Sequence, residues 1–160
     1  MKLYIKQKVF SWKDKFFVKD ECGQDKYYVE GELFSWGRKL HVYDMNQREV
    51  VFIAQKVMTF LPEYHVSQEG LEVAVVKQKF SWFRPKYEIQ GPNWTVEGSF
   101  WQHEYTVTDQ GGSIQVSISK ELMSWGDSYE LDIENPADEI VALAVVLTID
   151  CVQEMQQNNN

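Results

Sequence analysis

IVALAVVLTI, residues Ile140 to Ile149, is the longest apolar run in the chain and comes near the end of a long succession of short alternating segments. A bilayer span needs about 20 apolar residues. This run is shorter, and Asp138 and Glu139 bracket it on one side, Asp150 and Glu154 on the other. It is long for a strand and ordinary for a helix. The flanking residues select the helix: Asn135 suits the N-cap, Pro136 the first turn, and Asp138 with Glu139 the positive end of the helix dipole. The expected helix runs from about Pro136 to Met155, with Gln156 to Asn160 as a flexible polar tail. Thr148 is the sole polar residue between Ile140 and Ile149, and a helix without a polar face must be surrounded by protein.

The surroundings are strands. Ile114, Val116 and Ile118 alternate with Gln115, Ser117 and Ser119, and Tyr129, Leu131 and Ile133 alternate with Glu130, Asp132 and Glu134. Each segment therefore has one apolar and one wet face, the pattern of antiparallel sheet. Leu3, Ile5 and Val9 share one parity near the start, while Lys2, Lys6 and Lys8 share the other. Further strand candidates, separated by Gly, Asp and Asn, fill the chain between residues 14 and 109.

These segments repeat. Lys6-Gln7-Lys8 with Phe10-Ser11-Trp12 returns as Lys77-Gln78-Lys79 with Phe80-Ser81-Trp82, and Val29-Glu30-Gly31 returns as Val96-Glu97-Gly98. Two halves, about 1–68 and 69–134, are expected within a single domain of residues 1–155, because no Pro/Gly-rich linker divides them. A barrel of about eight strands is filled by its own side chains, so one that holds a helix roughly 10 Å across needs more, and about twelve is sensible. The expected fold is all-β with one helix: a closed antiparallel barrel of about twelve strands around its own C-terminal helix.

The stretch from Val18 to Val66 carries further specific features: the Asp20 to Gly23 turn, the Val29-Glu30-Gly31 strand, Leu40 to Asp44, and Ile53 to Tyr64 with its Gln55-Lys56 pair. On these the chain resembles the LOR (LURF-one-related) family, a branch of the tubby C-terminal-like superfamily, over nearly its whole length. The resemblance implies a twelve-stranded barrel around a hydrophobic C-terminal helix. Tubby domains bind phosphoinositides through basic residues, so it also implies an anionic headgroup as a candidate ligand. The cysteine-rich palmitoylation segment and calcium-binding acidic loop of the scramblase relatives have no counterpart in this sequence.

With 44% hydrophobic residues the chain lies outside the disordered regime. Cys22 in a turn and Cys151 in the helix suggest a reduced, cytoplasmic protein rather than a disulfide scaffold. The formal charge of −8 is concentrated after residue 66, and nucleic acid is an unsuitable partner for so acidic a surface. Lys6, Lys8, Lys13, Lys15 and Lys19, with Arg38 and Lys39, form a candidate anion-binding patch; lysines that only keep outer strand faces soluble are the plainer reading. Trp12, Trp36, Trp82 and Trp125 each follow a Phe-Ser or Met-Ser pair at a strand end. They are expected to cover the barrel mouth or pack on a neighbour, with a ligand or membrane rim as the functional alternative.

No catalytic residue is assigned. His41, His65 and His103 fall singly on expected strands, without zinc-ligand spacing, and no phosphate loop, nucleophile elbow or dinucleotide fingerprint occurs. No metal or cofactor is expected. The function expected is a noncatalytic binding or scaffold module with its partner unassigned. One alternative is peripheral binding to anionic phospholipid headgroups through the N-terminal lysines. Another is an unrecognised hydrolase or lipid-handling enzyme, which would need a pocket where histidine and carboxylate groups converge.

Overall fold

Alternation along each segment becomes the inner and outer face of one wall in the computed structural model, which describes residues 1–6, 15–32, 34–123 and 126–159. Twelve strands follow in chain order: β1 (Lys2–Lys6), β2 (Phe16–Lys19), β3 (Asp25–Gly31), β4 (Lys39–Asp44), β5 (Glu49–Gln55), β6 (Glu63–Gln68), β7 (Leu71–Lys79), β8 (Lys86–Gln90), β9 (Trp94–Ser99), β10 (Glu104–Thr108), β11 (Ile114–Met123) and β12 (Gly126–Ile133). Every strand pairs antiparallel with its chain neighbours, and β12 closes on β1 with Leu3 opposite Leu131. Closure leaves no edge strand to be protected.

The predicted plug is present. Asn135 accepts a hydrogen bond from the Ala137 N–H at 3.1 Å and opens a 3-10 turn, Pro136–Asp138. The helix α1, Glu139–Asn158, follows and extends beyond the expected Met155 boundary. Residues 142 to 153 are all buried. They meet the inward side chains of the wall, among them Leu3, Val29, Ile53, Ile89, Val107 and Leu131. Thr148 does not break this apolar surface, because its hydroxyl donates to the Ala144 carbonyl at 2.8 Å, one turn back in the same helix. Full burial of a Leu, Val or Ile side chain contributes roughly 1.5–3 kcal/mol. Wall and helix can each bury such surface only against the other.

Gly98 shows how tightly adjacent strands approach. It lies opposite Tyr105, with φ +145°, and a Cβ there would sit 2.6 Å from the Tyr105 Cα. Glycine is the residue that accepts both this conformation and this contact.

Successive hairpins place their connections alternately at the two ends of the barrel. Loops 32–38, 56–62, 80–85 and 100–103 share the end where α1 finishes: Glu154 pairs with Arg38 at 2.8 Å, and the Met155 sulfur receives the Gln55 amide at 3.7 Å. Loops 20–24, 45–48, 69–70, 91–93, 109–113 and 134–138 share the opposite end, where α1 begins. We call these the exit and entry ends.

Candidate binding surface and interior polar cluster

The exit-end loops expose large apolar side chains. Trp36 is 88% exposed and Trp82 84%, and Phe34, Met58, Phe60 and Phe83 are almost wholly in water. Trp36 and Trp82 therefore do not cover the mouth. Trp82 packs edge-on against Phe80 of its own loop, ring centroids 5.3 Å apart. Gly37 adopts φ +75° after Trp36, with its carbonyl accepting the Ser35 hydroxyl at 2.7 Å. Between loops 56–62 and 80–85 lies an open groove of about 440 Å³, lined by Phe60, Leu61, Pro62, Gln78 and Phe80. Single exposed apolar residues are ordinary, and a cluster on neighbouring loops makes this end the candidate binding surface. Trp12 and Trp125 lie outside the described residues.

The lysines separate into groups. Lys6, Lys15 and Lys19 line one groove of about 270 Å³ with Tyr4, Phe16 and Phe17, where β1 and β2 pair at Tyr4 with Lys19 and Ile5 with Val18. Two of these cations are matched by carboxylates, Lys15 to Glu30 at 3.1 Å and Lys19 to Asp25 at 2.6 Å. Lys15 also sits 3.8 Å above the Tyr28 ring. Tyr4 donates to Glu130 at 2.8 Å, and burial followed by that carboxylate pushes its pKa up to about 12. Arg38 and Lys39 do not line this groove. They pair with Glu154 at 2.8 Å and Glu32 at 3.5 Å. Lys8 and Lys13 lie outside the described residues.

The histidines acquire carboxylate partners that are distant in sequence. His41 on β4 meets Glu49 through Nδ1 at 2.6 Å and Glu32 through Nε2 at 2.8 Å. Burial opposes its charge, but the hydrogen bonds to Glu49 and Glu32 outweigh it, so its pKa is raised. The hydrogen bond from His41, joined by Lys39, correspondingly lowers that of Glu32. His65 on β6 is held likewise, by Glu72 at 2.6 Å and Glu63 at 2.9 Å. A general base needs a nitrogen free to take a proton, and on both residues the two ring nitrogens are engaged.

His103 is not on a strand as expected. It follows the 3-10 turn Phe100–Gln102 in a left-handed conformation, φ 53°. Its ring stacks on Tyr129 at 4.3 Å, and its Nε2 lies 3.5 Å from Asp150 of α1. The Tyr129 hydroxyl donates to the other Asp150 oxygen. Burial, and then the Asp150 charge, raise the pKa of Tyr105 and Tyr129 well above the ordinary phenol value. Burial likewise pushes up the Cys151 thiol, which makes it a poor nucleophile. Among the described residues, His103 Nδ1, the Tyr105 hydroxyl and Gln153 Nε2 are buried without hydrogen-bond partners. The cluster holds the last turns of α1 beneath the exit end.

The LOR family, LURP-one-related in full, has a family model that matches residues 1–150. The chain belongs to the LURP-one-related family. It is 39% identical over 152 residues to the uncharacterized protein YxjI of Bacillus subtilis (strain 168), covering 95% of this chain and 93% of that one. A crystal structure of a protein from Arabidopsis thaliana superposes with a TM-score of 0.67 at 16% identity, covering 94% of this chain and 90% of that chain. That likeness concerns the fold, the tubby-like barrel around a central helix.

In this LURP-one-related chain the Phe-Ser-Trp repeat pointed to the rim, but Met58 and Phe60 were missed. Their signal is an apolar Val57-Met58-Thr59-Phe60-Leu61 stretch in a connection between two alternating strands. The His41 pair had a weaker signal, because only the β4–β5 register places His41 beside that part of the wall.

Proposed function

We propose that this LURP-one-related protein is a noncatalytic binding module that engages its partner through the exit-end loops. The observation that carries this reading is the exposure of Phe34, Trp36, Met58, Phe60, Trp82 and Phe83 on neighbouring loops of one end. The filled barrel supports it, since α1 occupies the space where an interior ligand would bind. The engagement of both ring nitrogens in His41 and in His65 speaks against acid–base work on the outer wall. The groove of Lys6, Lys15 and Lys19 is a weaker site for an anionic headgroup, because Glu30 and Asp25 already take two of its cations. The unpaired cysteines, Cys22 exposed and Cys151 buried, suit a reducing compartment and hence the cytoplasm.

Photocrosslinking in cells tests the surface without knowledge of the partner. A photoreactive phenylalanine analogue in place of Phe60 or Trp82 is expected to trap an adduct, whereas one in place of Leu71, exposed near the entry end, is not. Adducts from position 71 alone would overturn the assignment.

A further inference from the structure

We propose that the exit end docks on a lipid bilayer by apolar insertion, with the tips of its aromatic loops in the interfacial zone of zwitterionic headgroups. This rests on the reading of these loops as the contact surface and names what they contact.

The side-chain chemistry fits that zone. Phe34 with Trp36, Met58 with Phe60, and Trp82 with Phe83 stand on three loops, with an open groove between the second and the third. A rigid protein partner would have to fill that space, whereas a fluid interface conforms to separate tips. Tryptophan favours the membrane–water boundary because a large apolar ring carries one polar N–H.

The charge pattern fits as well. Several acidic groups around the exit end are paired locally, Glu154 with Arg38, Glu32 with Lys39, and Glu63 with Lys56 and Lys77, while Glu104 stands exposed at the start of β10. Beyond Glu154 and Met155, the described residues at the end of α1, Gln156, Gln157, Asn158 and the C-cap Asn159, are polar and uncharged. Arg84, exposed beside Phe83, has no carboxylate partner among the described residues and can reach a lipid phosphate. The entry-end loops contrast sharply, with Asp20, Glu21, Glu69, Asp109, Glu134 and Asp138 against Arg48. A strand of about six residues spans roughly 20 Å, more than two Debye lengths of about 8 Å at physiological salt, so that acidity is screened at a surface touching the exit end. The molecule therefore presents one apolar end whose described loops carry Glu32 against Arg38, Lys56 and Arg84, and keeps its acidic end in water. Insertion of this kind depends on buried apolar area rather than on headgroup charge.

Vesicle flotation of the full chain tests the proposal. The expected result is binding to pure phosphatidylcholine vesicles that changes less than about twofold between low salt and about 0.5 M salt. The Phe60→Ser/Trp82→Ser variant should lose binding at least about tenfold, and Leu71→Ser should not. Thermal melting of each variant separates lost docking from lost fold. No flotation, or flotation only with anionic vesicles at low salt, would overturn apolar docking. A rim-dependent dimer in sedimentation without vesicle binding would assign the surface to a second copy and overturn it too. If position 82 still crosslinks to a protein while vesicles do not bind, the contact-surface reading stands and the bilayer assignment fails.

Discussion

Tyr129 on β12 donates its hydroxyl to Asp150 on α1, so the wall supplies a partner to the one charged residue within the buried stretch of the helix. A hydrogen bond to a charged group contributes about 1.5–3 kcal/mol. Tyr129→Phe should lower stability by that amount in chemical denaturation. A double-mutant cycle with Asp150→Asn should show coupling, and a coupling below about 0.5 kcal/mol would mean that the pair does not hold the helix end.

Ala144 and Val145 are wholly buried at the middle of the plug. Ala144→Asp or Val145→Asp places an unpaired charge there, at a cost of several kcal/mol against a total stability of about 5–15 kcal/mol. Loss of the cooperative thermal transition is expected. A folded, monomeric variant would refute the enclosed helix.

His41 has a raised pKa in the folded chain, with Glu49 and Glu32 outweighing burial. Its charged form therefore binds its surroundings more strongly when folded than when unfolded. That stabilisation is fully present below the unfolded value of about 6.5 and is lost as pH rises through the folded value. His41→Phe should cost more stability near about pH 5.5 than near about pH 8.5. Equal costs at the two pH values would show that the carboxylates do not hold a charged ring.

Trp94 and Trp36 separate structural from surface tryptophan. Trp94 is 4% exposed and Trp36 88%. Trp94→Ala should cost about 3–5 kcal/mol. Trp36→Ala should change stability by no more than about 0.5 kcal/mol. A large loss at Trp36 would show that its loop packs on the barrel and is no free docking element.

The architecture was legible because burial imposes periodicity. Tyr129, Leu131 and Ile133 alternate with Glu130 and Asp132, and such alternation has one stable use, a wall with one dry face. The run at Ile140 needs dry surroundings on every side, which a closed wall provides. Asn135 also acts as the cap its position suggested, although the turn it opens is 3-10 before it becomes α. The site was less legible. Asp150 looked like a flanking charge that limited an apolar run, and nothing local shows that Tyr129 and His103 close around it.

Chain order alone was enough to specify an antiparallel barrel, its approximate strand number and the helix within it, because apolar spacing dictates which faces must leave water. Which aromatic side chains stay in water, and which charges meet, was decided only on folding. Trp36 stands within the loop before β4 and Trp94 opens β9, and one is exposed while the other is buried. His41 meets Glu49 because a bulged β4–β5 register brings them together. Loop conformation and register are set by contacts across the closed wall, and periodicity along one strand does not encode them.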